Sequence, residues 1–108
     1  MDADQKRMYK LKADVIAAAG NPIRLAIIDF LKDGEQCACD IAEHVDGLRS
    51  NVSRHLAVLL KAGIVEQRKE GLKMIYSLKT PCILNFTRCV EGVLREQAKD
   101  AAVLLKTL

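Results

Sequence analysis

Asp40-Ile41-Ala42-Glu43-His44-Val45, then Ser50-Asn51-Val52-Ser53-Arg54-His55-Leu56-Ala57-Val58-Leu59-Leu60-Lys61-Ala62-Gly63, is the stretch that decides the fold. From about Ala38, the residues Ile41, Ala42 and Val45 make a short apolar stripe, and Asp46-Gly47 offers a turn. Ser50 can cap the next helix, in which Val52, Leu56, Leu59 and Leu60 recur at helical spacing as far as Ala62. Gly63 then supplies a left-handed stop. Helices of about 8 and 12 residues joined by a short turn containing glycine form a helix-turn-helix, here over about residues 38–62.

Towards the C-terminus the period changes. Ile64 to Lys69 and Leu72 to Leu78 are β-type runs around Glu70-Gly71, a hairpin or wing over about residues 64–78. Thr80-Pro81 reads as the cap and first residue of a last helix, about residues 81–106, with Ile83, Phe86, Val90, Val93, Leu94, Ala98, Ala101 and Leu105 along its apolar side. Towards the N-terminus, Met8, Leu11, Val15, Ile16 and Ala19 mark a helix over roughly Ala3 to Ala19 that stops at Gly20. Asn21 caps the next helix, with Pro22 at its first position and Ile23, Ala26, Ile27, Phe30 and Leu31 on its buried face through Lys32; Gly34 ends it. The expected fold is mainly α with a small β-hairpin, a winged helix-turn-helix in one domain spanning residues 1–108. A last helix of about 25 residues is too long to bury on a monomer of this size, which predicts a homodimer through the first and last helices.

Composition agrees with one domain. The chain has 108 residues, half of them apolar and 29% charged, and its only aromatics are Tyr9, Phe30, Tyr76 and Phe86, so the core is aliphatic. Apolar runs such as Val15 to Ala19 and Leu56 to Leu60 reach five residues, far short of the ~20 that span a bilayer. No membrane partner is expected, and the absence of an apolar leader predicts a cytoplasmic protein.

The formal charge is only +3, but residues 49–79 carry seven basic and two acidic side chains, whereas residues 1–48 carry six basic and nine acidic. Positive charge therefore gathers on the second helix of the helix-turn-helix and on the wing, the parts that would face phosphate. Ser50, Asn51, Ser53, Arg54 and His55 lie near the N-terminus of that helix, the part that enters the major groove in such proteins. Arg54 can bond a guanine bidentately and Asn51 an adenine, while Ser50 and Ser53 can serve as caps or phosphate donors. For His55, DNA contact and packing are equally open. Arg68, Lys69 and Lys73 on the wing suit phosphate or the minor groove, Arg49 stands just before the recognition helix, and His44 reads as a surface residue.

Four cysteines in a leaderless chain read as ligands, redox groups or packing rather than structural disulfides. Cys37-Ala38-Cys39 falls where a helix begins. Positions i and i+2 of a regular helix point about 200° apart, so the pair converges only if its start is extended. A helix N-terminus also favours an anion placed on it, and a soft ion needs sulfur in its anionic form. Cys82 and Cys89 share a helix face but stand roughly 10 Å apart in rise, too far for a mutual disulfide. Either can join Cys37 and Cys39, three sulfurs suiting pyramidal arsenite and four suiting tetrahedral zinc or cadmium. No dithiol sits in a βαβ pattern, and there is no phosphate loop, carboxylate cleft or nucleophile triad, so no enzyme and no organic cofactor are expected.

The Asp40 to Val45 and Ser50 to Val65 runs, with Gln67-Arg68-Lys69-Glu70-Gly71 through Tyr76-Ser77-Leu78, closely resemble the ArsR family of metal-responsive bacterial repressors. The likeness covers about residues 15–95 and implies a repressor that binds double-stranded operator DNA as a homodimer. Cys37-Ala38-Cys39-Asp40-Ile41 is similar to the family's inducer motif, which implies release by trivalent arsenic or antimony, or by cadmium or lead in related members; zinc held by cysteine sulfurs is a further alternative. Zinc, nickel and cobalt sensors resembling this family use Asp and His on the last helix, which here has Glu91, Glu96 and Asp100 but no histidine. Arg49 departs from the pattern, since similar proteins often carry Gln there. A repressor that senses oxidation, through a disulfide or polysulfide between cysteines, remains open on the same scaffold.

Overall fold

Side-chain capping and glycine geometry mark several of the element ends in the computed structural model, which describes residues 1–45 and 47–108. Helix α1, Ala3–Ala19, opens on a capping box between Asp2 and Gln5. Asn21 then caps α2, Pro22–Phe30, its Oδ1 accepting from the amides of Ile23 at 2.9 Å and Arg24 at 3.2 Å, with Pro22 first in the helix as expected. A 3-10 turn, Leu31–Asp33, leads to Gly34 at φ 135°. After it come strand β1, Gln36–Cys37, helix α3, Ala38–His44, and helix α4, Arg49–Lys61. The expected turn at Asp46-Gly47 falls partly outside the described residues. A Cβ on Gly47 would come within 3.1 Å of Val52 Cγ2, so Gly47 itself lies close against α4.

Strands β2, Val65–Glu70, and β3, Lys73–Leu78, form the expected hairpin, with Gly71 at φ 61° on its tip. The sheet has a third member that the expectation lacked. The strand order is β1-β3-β2, all antiparallel, with Cys37 opposite Ile75 and Ile75 opposite Arg68. The wing is thus hydrogen-bonded to the segment that enters α3.

Two expected caps are corrected. Helix α4 begins at Arg49, one residue before Ser50, because Leu48 is the extended residue that precedes the helix, and among the described residues no side chain caps it. Arg49 is therefore inside the recognition helix rather than before it. Helix α5, Ile83–Leu105, starts after Cys82. Thr80 does not cap it; its hydroxyl donates to the Gly63 carbonyl at 2.7 Å and ties the end of the sheet to the end of α4.

The core gathers Ala18 and Ala19 of α1, Ile27 and Ile28 of α2, Ile41 and Ala42 of α3, Val52, Leu56 and Leu59 of α4, then Ile64, Val65, Tyr76 and Ile83. Burial pushes the Tyr76 phenol pKa up. Most of α1 and α5 lies outside this core. On α1, Met8, Leu11, Val15 and Ile16 are exposed, and on α5 Phe86, Val90, Val93 and Leu94 are between 43% and 58% exposed. The radius of gyration, 17.3 Å, exceeds the ~13 Å of a compact chain this long. A groove of about 450 Å³ runs between α1, α2 and α5, floored by Ile16, Ile28, Leu84 and Val90.

Candidate nucleic-acid interface and thiolate site

Val52, Leu56 and Leu59 are buried on α4, and 100° of turn per residue then puts Ser50, Arg54, Ala57 and Lys61 on the outward side. Ser50, Asn51, Ser53 and Arg54 are exposed, as is Arg49 in the first turn. The helix carries no acidic side chain, so its outer face is polar and positive. The structure therefore brings Arg49, Ser50, Asn51, Ser53 and Arg54 together on one accessible helix.

His55 is different. It is half-buried, and its Nδ1 lies 3.3 Å from Arg24 Nη1 of α2, whose neighbouring Nε is buried without a partner among the described residues. A nitrogen facing a guanidinium must accept, so the ring's other nitrogen carries the proton when His55 is neutral. The packing half of the expectation for His55 thus has a partner, Arg24 on α2. His44, exposed as expected, stacks on Phe30 with ring centroids 4.0 Å apart.

On the wing, Lys69 and Lys73 are exposed and form no ion pair among the described residues. Arg68 is held twice: Nε donates to Glu35 at 2.8 Å and Nη1 to Glu70 at 2.8 Å. These bonds, Glu35 first, raise its pKa above the ordinary guanidinium value. Glu35 was not among the expected site residues, and only the fold brings it across the sheet to Arg68.

The cysteines also divide. Cys37 is buried, with extended backbone (φ −78°, ψ 156°), and caps α3 by accepting from the Asp40 amide through Sγ at 3.4 Å. Cys39 is exposed in the first turn of α3. The extended start that the pair needs in order to converge is present. Cys82 and Cys89 are exposed; Cys82 keeps helical angles, so their ~10 Å separation in rise stands. Among the described residues no three Cys, His, Asp or Glu side chains gather in one place that could hold a metal ion.

A two-helix reader with a sheet wing and a basic outer face defines the class: a DNA-binding transcription regulator of the winged helix-turn-helix type. Residues 21–67 match the family described as bacterial regulatory protein, arsR family. The chain belongs to the ArsR family. It is 31% identical to the uncharacterized HTH-type transcriptional regulator Rv0081 of Mycobacterium tuberculosis, over 97% of this chain and 93% of that one. It is 37% identical over 70 residues to the arsenical resistance operon repressor of Staphylococcus xylosus, covering 65% of this chain and 67% of the repressor. In three dimensions it is similar to the homodimeric winged helix-turn-helix DNA-binding domain of Mb0332 from Mycobacterium bovis, at 26% identity and TM-score 0.78, covering 93% of each chain. Among the described residues, no helix is long and apolar enough to cross a membrane.

Proposed function

We propose that this chain is a cytoplasmic, homodimeric repressor of transcription, released from its operator when Cys37 and Cys39 bind a soft metal or metalloid ion, trivalent arsenic or antimony foremost. The observation that carries this reading is the placement of Cys37-Ala38-Cys39 at the junction of β1 and α3, where α3 supports the recognition helix through Ile41 and Ala42. The unpartnered apolar sides of α1 and α5 supply the dimer interface, and the likeness to a staphylococcal arsenical repressor supports the choice of ion.

A bound ion supplies a link between two sulfurs; the response belongs to the protein. Cys37 Sγ now caps the Asp40 amide, and its use as a ligand leaves that amide short of a partner at the start of α3. A shift of α3 passes to Val52, Leu56 and Leu59 of α4 through the shared core. Linkage is reciprocal, so operator DNA must weaken ion binding by the factor by which the ion weakens DNA binding.

The test is release of labelled operator by arsenite, antimonite, cadmium, lead and zinc, using wild type and the four single Cys→Ser variants. Cys37→Ser and Cys39→Ser are expected to bind DNA as wild type does and to lose release by arsenite; Cys82→Ser and Cys89→Ser report whether a third sulfur contributes. Arsenite binding equally well to free and DNA-bound protein would end this mechanism. Release by peroxide or polysulfide, with none by arsenite under reducing conditions, would transfer the site to redox sensing.

A further inference from the structure

We propose that Glu35 competes with DNA phosphate for Arg68, so that seating the wing on DNA is felt two residues from Cys37. The inference rests on the regulator reading above and extends it to the wing. Arg68 lies on β2 and Glu35 just before β1, the two outer strands, with β3 between them. Two strand spacings, roughly 9–10 Å, are bridged by the Arg68 and Glu35 side chains together. Residues directly opposed across a sheet share a face. Cys37, Ile75 and Arg68 are opposed in one row, so the Cys37 junction and the wing cation lie on the same face with a single residue between them.

Glu70 also bonds Arg68, but it belongs to the same strand and travels with the wing. Glu35 is 33 residues away in sequence and leads directly into the Cys37 cap of α3. It alone of the two can report wing position to α3. Both pairs are exposed, with Arg68 at 53% and the carboxylates at 49% and 64%, so each is weak and readily exchanged for a phosphate. Two arrangements follow. With the wing on DNA, Arg68 sits on phosphate and Glu35 is released; with the wing off DNA, Glu35 holds Arg68. An ion at Cys37 and Cys39 that favours release favours the second.

Exchange leaves its mark on salt dependence. A phosphate neutralised by Arg68 sheds a counterion, but the freed Glu35 carboxylate takes one up, which lowers the net slope. The experiment measures affinity for a mixed-sequence duplex of about 30 base pairs across a KCl series, for wild type, Glu35→Gln, Arg68→Gln and the double variant. Glu35→Gln is expected to tighten binding about two- to fivefold per wing, the scale of an exposed ion pair, and to steepen the slope by up to about one per wing. Both changes should vanish in the Arg68→Gln background. In Glu35→Gln, the factor by which DNA weakens arsenite binding should also shrink towards one. Equal tightening with and without Arg68 would reveal a bulk charge effect and overturn the proposal, as would an unchanged slope or an unchanged arsenite factor. Wild type failing to bind the duplex at all would sink the regulator reading itself, and this proposal with it.

Discussion

Leu59→Ala is expected to destabilise the fold by about 2–5 kcal/mol, through lost transfer energy and a cavity that the surroundings only partly fill. Leu59 is fully buried on the inner side of α4, within the core that holds Ile27, Ile28 and Ile41. Domains of this size have about 5–15 kcal/mol in all, so one methyl-rich side chain accounts for a large share. The side chain also seats the recognition helix on α2 and α3, and its loss loosens the reading surface along with the core. Urea unfolding at fixed protein concentration measures the change, with Ala57→Ser on the outward side of α4 as a control expected within about 0.5 kcal/mol of wild type. A loss below about 1 kcal/mol for Leu59→Ala would place the site outside a packed core.

Arg54→Ala is expected to weaken operator binding by about 1–3 kcal/mol and to relax preference at one base-pair position. Arg54 is exposed near the centre of the outward side of α4, flanked by Ser50 one turn before it, and has no ion-pair partner among the described residues. A forked donor placed there can meet the two acceptors on a guanine edge. Lys69→Ala should behave differently, weakening all sequences alike and lowering the salt slope by about one, because a phosphate contact carries no base information. Selection of bound sequences together with a salt series separates the two. If Arg54→Ala keeps both affinity and preference, Arg54 is not a base reader.

What was legible in the sequence was whatever is decided within a few residues. Asn21 followed by Pro22 announces a helix start, and Gly63 and Gly71 take the positive φ that their positions call for. The spacing of Val52, Leu56 and Leu59 marks the buried side of α4 because a helix repeats every 3.6 residues. Strand β1 was not legible. Two residues show no period, and Gln36 and Cys37 become a strand only by pairing with Tyr76 and Ile75. The same distance hid the functional details: Arg24 meets His55 and Glu35 meets Arg68 across 31 and 33 residues. Ser50 and Thr80 have the chemistry of caps, but the helix already begins after Leu48, and Thr80 is bonded to Gly63. The Cys-x-Cys pair stood out as a motif, yet the burial of one sulfur and exposure of the other depend on the sheet and could not be read from spacing.

The apolar residues left in water along α5 make abundance itself a thermodynamic variable. A surface that is satisfied only by a second copy ties folding to mass action, so the protein grows more stable as it accumulates. Assembly depends on the square of the free-chain concentration, and therefore the assembled fraction falls as copies become scarce. Operator occupancy would then fall faster than copy number, and repression would have a threshold built from Phe86, Val90 and Leu94 rather than from any ligand.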